Sequence, residues 1–308
     1  MRVAVLSGGV GGARFVQGLL DAVEPSGVTV IANVGDDLEV YGLHVSPDVD
    51  TLLYTLGGEA DLERGWGRRD ETWRARETAT ELGAETWFQL GDRDLGLHLA
   101  RREALDRGEP FSAITERFAR RLGIEARILP ATNDRLRTWI ATGDGELSFQ
   151  EWFVLHRHEP EVQGVRFEGA ETATAAPGVL EAIAEADLIA IGPSNPFVSI
   201  GPILAVGEIR AAIHTRQVPS VAVSPLIGGK AVKGPADRML RNLAGGTGPE
   251  QVASCYKGLI DALVYDEADG DVPLPDGVRP IVSSTLMTDA ASRRRVAEAA
   301  LEAAAALR

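Results

Sequence analysis

A doubly wound α/β fold, with a mostly parallel, Rossmann-like sheet covered by helices on both faces, is predicted by three features of this sequence. Short unbroken apolar runs recur along the chain, each stops at a glycine, proline or asparagine loop, and a stretch of helical spacing joins the first two. Strands buried on both faces read as continuous apolar runs rather than alternating ones, which is the habit of parallel sheets.

The first run, Val3-Ala4-Val5-Leu6, ends at a glycine turn, and the amphipathic stretch from Arg14 to Val23 supplies a crossover helix. The second run, Val28-Thr29-Val30-Ile31-Ala32, ends at Asn33 and Gly35. Leu188-Ile189-Ala190-Ile191 ends at Gly192-Pro193, and Ser220-Val221-Ala222-Val223 ends at Ser224-Pro225. The middle of the chain differs. Glu71 to Gly123 is helical in pattern, with breaks at Gly83, Gly91 and Gly108-Glu109-Pro110. Arg127 to Glu168 then reads as short strands, among them Arg137–Ala141 and Glu151–Leu155, with a hairpin signal at Thr142-Gly143-Asp144-Gly145 between them. The expectation is one unit over 1–308: a Rossmann-like core at about 1–60 and 170–308, and a helical and β-hairpin insertion at about 61–169.

Composition narrows the function. Across 308 residues, 31 Lys and Arg against 45 Asp and Glu give a formal charge of −14. An acidic chain lacks the basic excess that neutralises nucleic-acid phosphates, so no nucleic-acid partner is expected, although a local pocket can still hold one nucleotide. The single Cys255 forms no internal disulfide, and no Cys/His cluster has the spacing of a zinc site. No run of about 18 apolar residues occurs and no charged-then-apolar leader follows Met1. The chain reads as cytoplasmic, with no membrane partner.

Five loop regions carry candidate chemistry. Ser7-Gly8-Gly9-Val10-Gly11-Gly12-Ala13-Arg14 follows a strand and opens a helix, where backbone N–H groups and the helix dipole suit an anion. It is neither a dinucleotide fingerprint, since Arg14 stands at the last glycine position, nor a Walker loop. Four glycines in five positions favour a phosphate cradle over a plain tight turn. Asp36, Asp37, Asp48 and Asp50 cluster after the second strand; oxygen ligands on loops suit Mg²⁺, which takes a few carboxylates together with substrate phosphates. Taken singly, each Asp is equally a turn former or helix cap. In Phe88-Gln89-Leu90-Gly91-Asp92-Arg93-Asp94, Asp92 reads as a helix cap, and Arg93 as paired either to a carboxylate or to a phosphate. Gly192-Pro193-Ser194-Asn195-Pro196 is a rigid loop suited to a base or phosphate, and the loop from Ser224 to Pro235 brings Lys230 and Lys233 to the same edge. Trp66, between Gly65 and Gly67, is placed to stack on a flat ring. The five histidines read as packing or surface residues.

These motifs, in this order and over nearly the whole length, resemble the CofD-like phospholactate/phosphoenolpyruvate transferases of coenzyme F-420 biosynthesis, and Gly65-Trp66-Gly67-Arg68-Arg69-Asp70-Glu71-Thr72-Trp73 looks most like the bacterial, actinobacterial-type members. The resemblance implies a Mg²⁺-dependent enzyme. Its substrates would be the deazaflavin Fo and the enolpyruvyl conjugate of guanosine diphosphate, and its products dehydro coenzyme F-420-0 and GMP. It also implies a homodimer. In that reaction the terminal ribityl hydroxyl of Fo attacks the phosphorus distal to guanosine, a matter of positioning and electrostatics. Carried over residue by residue, Asp50 and Gln89 contact Fo, and Asp48 and Asp50 are the catalytic candidates. Asp36, Asp37, Asp48 and Asp50 are the metal candidates. Ser7, Gly8, Gly9, Gly11, Gly12, Gly192, Ser194 and Asn195 fall to the guanosine diphosphate portion, with Arg93 and Lys230 as phosphate partners.

Two alternatives stand beside this reading: the same reaction with the 2-phospho-L-lactate donor, and a non-enzymatic nucleotide-binding regulator. A Rossmann oxidoreductase ranks last, because the third fingerprint glycine is replaced by Arg14.

Overall fold

The structure, a computed structural model, describes residues 1–308. Seven strands form the central sheet: β1 (Val3–Ser7), β2 (Val28–Ala32), β3 (Arg127–Pro130), β4 (Leu188–Ile191), β5 (Ser220–Val223), β6 (Ala262–Asp266) and β7 (Arg279–Ser283). Their spatial order is β7-β6-β5-β4-β1-β2-β3, and every neighbouring pair runs parallel. All of β1, β4 and β5 is buried, which is why they read as unbroken apolar runs; β6 is equally buried but was not singled out in the sequence. The strand order reverses at β1, with β2 on one side and β4 on the other. In open parallel sheets that reversal opens a crevice beyond the carboxyl ends of the strands.

Helix α1 (Gly9–Ala22) crosses from β1 to β2 and packs against the C-terminal helix Ala290–Ala305. Gly18 allows the close approach: a Cβ there would lie 2.2 Å from the Arg293 carbonyl oxygen. After α2 (Pro47–Leu56), the helical middle forms as the breaks predict, with α3 (Arg74–Glu81), α4 (Asp92–Asp106) and α5 (Phe111–Arg121). α3 buries no residue and is held by its ends. The Asp92 carboxylate accepts from the Arg74 and Ala75 amides of α3 (3.2 and 3.1 Å), while Glu71 accepts from the Arg93 and Asp94 amides of α4 (2.8 and 2.9 Å). Asp92 therefore caps its neighbour rather than its own helix.

Two expectations need correction. The stretch 61–169 is not wholly an insertion, because β3 lies inside it and joins the main sheet beside β2. Its apolar run is only Ile128-Leu129, too short to register as a strand. Both β3 and β7 are sheet edges and both contain a proline (Pro130, Pro280), a residue that edges tolerate and that masks a strand in the sequence. Glu151–Leu155 is a helical turn, not a strand. The two-residue turn at Gly143-Asp144 pairs Arg137–Thr142 with the residues directly after it, Gly145–Ser148, so Glu151 falls beyond the ladder; Gly164–Glu168 completes this antiparallel sheet. Trp152 buries its ring and donates its indole N–H to the Pro160 carbonyl at 2.9 Å. No single helix is long and apolar enough to cross a membrane.

Candidate active site

A cleft of about 670 Å³ opens at the carboxyl ends of β1 and β4, where the strand order reverses. Its floor is the glycine loop and the first turn of α1, and each glycine there has a geometric reason. A Cβ on Gly8 would sit 2.4 Å from an Asp48 carboxylate oxygen, one on Gly11 2.6 Å from the Pro193 carbonyl, and one on Gly12 2.4 Å from the Ser7 hydroxyl. Gly9 has φ +66°, where side chains are strained. The Gly8 amide donates to the Ser194 hydroxyl at 3.2 Å and that hydroxyl donates back to the Gly8 carbonyl at 2.7 Å, so the loops after β1 and β4 are tied together.

These contacts divide the predicted cradle. Gly8, Gly9, Gly11, Ser194 and Asn195 line the cleft, whereas Ser7, Gly12 and Gly192 lie behind it as close-packing residues. The Gly9 amide is already given to Asp48 at 2.6 Å. The amides left for an anion are those of Val10 and Gly11, which by their place in the first turn have no intrahelical acceptor.

The four predicted metal carboxylates do not form one set. Asp36 and Asp48 converge on the Asn33 side-chain amide, which donates to both, at 3.1 and 2.9 Å. Both are buried, and neither forms an ion pair with a cationic side chain. Burial first, and then the charges of Asp48 and Asp37, push the Asp36 carboxyl well above its usual range. Burial pushes Asp48 up to about 6 against the hydrogen bonds from Asn33 and Gly9. Asp37 turns away, accepting from the Ser46 hydroxyl at 2.6 Å and lying 2.8 Å from His44 Nε2. Asp50 is held by Arg101 in a fully buried ion pair. Burial alone would raise its carboxyl, but the Arg101 charge and hydrogen bonds more than offset this and hold it below the usual range. Asp37 and Asp50 are thus removed from the metal set by partners that already satisfy them. No group of three or more His, Cys, Asp or Glu side chains converges to hold an ion. Two uncompensated buried carboxylates still fit a hard divalent cation that takes its other ligands from phosphate and water.

The far end of the cleft is built by the helical middle. Asp50 and Tyr54 of α2 face Asp94 and His98 of α4, and the Tyr54 hydroxyl donates to Asp94. Gln89, Leu90, Trp87 and Phe88 come from the segment before α4, and Trp66 from the Gly65-Trp66-Gly67 loop. Phe149 and Phe153, from the helical turn between strands of the small sheet, also line the cleft, on the side where Gln150 donates to the Asp36 carboxylate at 3.3 Å.

Two predicted phosphate partners are elsewhere. The Arg93 guanidinium pairs with Glu59 at 3.0 Å and donates to the Arg69 carbonyl at 3.1 Å, the carboxylate-paired alternative. Lys230 is exposed on a two-strand hairpin outside the cleft. The cations that do line it are Arg14 and Lys233; the Lys233 ammonium reaches the Gly65 carbonyl at 3.3 Å. Sequence reasoning also missed Asn33, Tyr54, His98 and Arg101. Asn33 carried a signal, as the polar residue that stops the β2 run. Arg101 carried none, being one arginine among many on an exposed-looking helix.

A doubly wound α/β sheet with an acid-lined cleft at its switch point defines a Rossmann-like protein. The family described as 2-phospho-L-lactate transferase CofD matches residues 3–300, and the chain belongs to it. It is a transferase of coenzyme F-420 biosynthesis. It is similar to the phosphoenolpyruvate transferase of Thermobifida fusca, at 43% identity over all of this chain and 99% of that one. It is likewise similar to that of Streptomyces griseus, at 44% over the whole of both. A UPF0052 family protein from Bacillus halodurans shares the fold with a TM-score of 0.64 at 19% identity, covering 97% of this chain and 98% of its own.

Proposed function

We propose that this protein transfers the phosphoenolpyruvyl group from enolpyruvyl-2-diphospho-5′-guanosine to Fo, giving dehydro coenzyme F-420-0 and GMP. The observation that carries this reading is a single cleft with two chemically different ends. One end offers the free amides of α1 and the Asp36–Asp48 pair; the other offers aromatic rings beside Asp50 and Gln89, with the Lys233 ammonium on the Gly65 carbonyl next to Trp66. A phosphate donor and a flat acceptor would meet between them, and positioning two reactants in this way supplies much of the rate.

Asp36 and Asp48 would hold Mg²⁺, which when bound supplies positive charge beside the donor's diphosphate. Val10 and Gly11 give amide donors to the same phosphates, and Arg14 offsets part of the donor's remaining charge in a protein of net −14. Asp50 and Gln89 orient the acceptor so that its terminal ribityl oxygen faces the phosphorus. The new P–O bond forms there as the bond to GMP breaks, GMP leaving with the bonding electron pair and the hydroxyl proton passing to solvent water.

The test is turnover of the full chain with Mg²⁺, Fo and the enolpyruvyl and lactyl conjugates in parallel, with products read by mass. The expected outcome is the dehydro product as the faster one. A faster saturated product would move the protein to the lactate donor, and no product from folded protein would replace the reading with that of a nucleotide-binding regulator.

A further inference from the structure

Behind the acceptor end of the cleft lies a residue that touches neither proposed substrate. Arg101, on the third turn of α4, is 0% exposed and does not line the cleft. Its guanidinium meets Asp50 with two nitrogens, Nη1 to Oδ2 at 3.1 Å and Nη2 to Oδ1. Nη1 also donates to the His44 carbonyl at 3.2 Å, and the group lies over the Phe111 ring at 5.2 Å. Asp50 Oδ2 accepts a further bond from the Ser46 amide at 3.2 Å.

Few interactions fix a carboxylate as firmly as a planar two-nitrogen fork that is itself buried against an aromatic ring. The pair also spans two elements with different duties. Asp50 shares the first turn of α2 with Asp48, and α4 begins directly after Gln89-Leu90-Gly91. The clamp therefore sets the spacing between the acceptor wall carried by the start of α4 and the carboxylate pair carried by α2. On the cleft side, His98 Nδ1 lies 3.4 Å from Arg101 Nη1 and His98 Nε2 3.3 Å from Asp94, which extends the same register to Tyr54 through its bond to Asp94.

We infer that Arg101 is a positioning residue for the acceptor substrate: it holds Asp50 from behind as a fixed hydrogen-bond acceptor and registers the acceptor end of the cleft against the phosphate end. This rests on the proposed function, in which Asp50 meets the acceptor.

The test uses the full chain with Mg²⁺ and compares Arg101→Lys, Arg101→Met, Asp50→Asn and the double variant Asp50→Asn/Arg101→Met. Fo binding is read by quenching of tryptophan fluorescence, GDP binding by calorimetry, and kcat and KM for each substrate by product mass. Arg101→Met is expected to weaken Fo binding and raise the acceptor KM by ~30-fold, leaving GDP binding within about threefold, because removing one partner of a buried charge pair disturbs what the other touches. Arg101→Lys is expected to recover part of the loss. The double variant, which leaves no unpaired charge and so keeps the test open if Arg101→Met folds poorly, is expected to match Asp50→Asn alone within about twofold, since Arg101 acts through Asp50.

A folded Arg101→Met that binds Fo as the wild type does overturns the inference, as does a double variant whose loss is the product of the two single losses. Wild-type protein that binds GDP but no Fo overturns the functional reading itself, an outcome distinct from either.

Discussion

The two ends of the cleft are built from different materials. The phosphate end is mostly backbone: glycine and proline loops at the carboxyl edge of a parallel sheet, locked to one another through Gly8, Ser194 and Asp48. The acceptor end is mostly side chain, from two helices and two loops of the middle section, joined by a buried ion pair and a tyrosine–aspartate–histidine contact. Backbone at a sheet edge has little freedom to move, whereas helices packed through side chains can shift by a turn's fraction. The comparison teaches that substitutions at the phosphate end should strike turnover or folding outright, and those at the acceptor end should strike one substrate's affinity.

The largest effect tests the first half of that statement. Asp48→Asn should lower turnover by ~10³-fold in a Mg²⁺-supplemented rate assay, while Asp37→Asn, whose carboxylate is spent on Ser46 and His44, should stay within about fivefold. Equal losses from the two would erase the distinction drawn between them. Next comes Gly12→Val. Its side chain must enter space held by the Ser7 and Ser194 hydroxyls, and it should destabilise by about 3 kcal/mol in urea unfolding.

Asp266 gives a pH-dependent test of the same end. Its carboxylate accepts from the Thr285 amide and hydroxyl at 2.7 and 3.0 Å, and Thr285 lines the cleft. Burial alone would raise this carboxyl, but the bonds from Thr285 and Ala268 hold it below the usual range. A carboxyl lowered by folding stabilises the protein fully above its unfolded value of ~4 and loses that contribution as pH falls through the folded value. Asp266→Asn should therefore cost ~2 kcal/mol at neutral pH, with the gap to wild type closing below about pH 4 in parallel urea titrations.

The acceptor end predicts smaller, one-sided changes. Trp66→Ala should raise the acceptor KM by ~5-fold with the donor KM unmoved, because stacking area is lost on one substrate only. A matching change in donor KM would show that the two ends are not separable. The smallest pair compares lysines: Lys233→Ala should raise the acceptor KM a few-fold, about one partly exposed charge, while Lys230→Ala should leave both constants within about twofold.

How much was legible follows the same division. The sheet-edge loops are short, local and rich in residues with few conformational uses, so Gly8–Gly12, Asp48 and Gly192–Asn195 announce themselves in the sequence and fall together in space. Four strands of the wound sheet, β1, β2, β4 and β5, are legible for the same reason; Pro130 and Pro280 obscure the edge strands β3 and β7, and the buried β6 was not singled out although it too is an apolar run. The partition of the four aspartates was not legible. Which carboxylate is left without an ion-pair partner and which meets Arg101 depends on a contact 51 residues away in sequence, between helices whose relative packing no local pattern encodes. Arg93 and Lys230 failed for a related reason: charge in a conspicuous motif does not say which way the side chain turns.

The tie between Gly8 and Ser194 has a consequence for how the protein comes to exist. These residues are 186 positions apart, and β1 pairs with β4 across nearly the same span. During synthesis the first strand leaves the ribosome with β2 as a partner but must wait for more than half of the chain before its other edge is covered. Contacts this distant in sequence slow folding, because loop closure has to be met before they reward it. The cleft thus cannot form before β4 has been made, and a nascent chain that folds its middle helices early still lacks it.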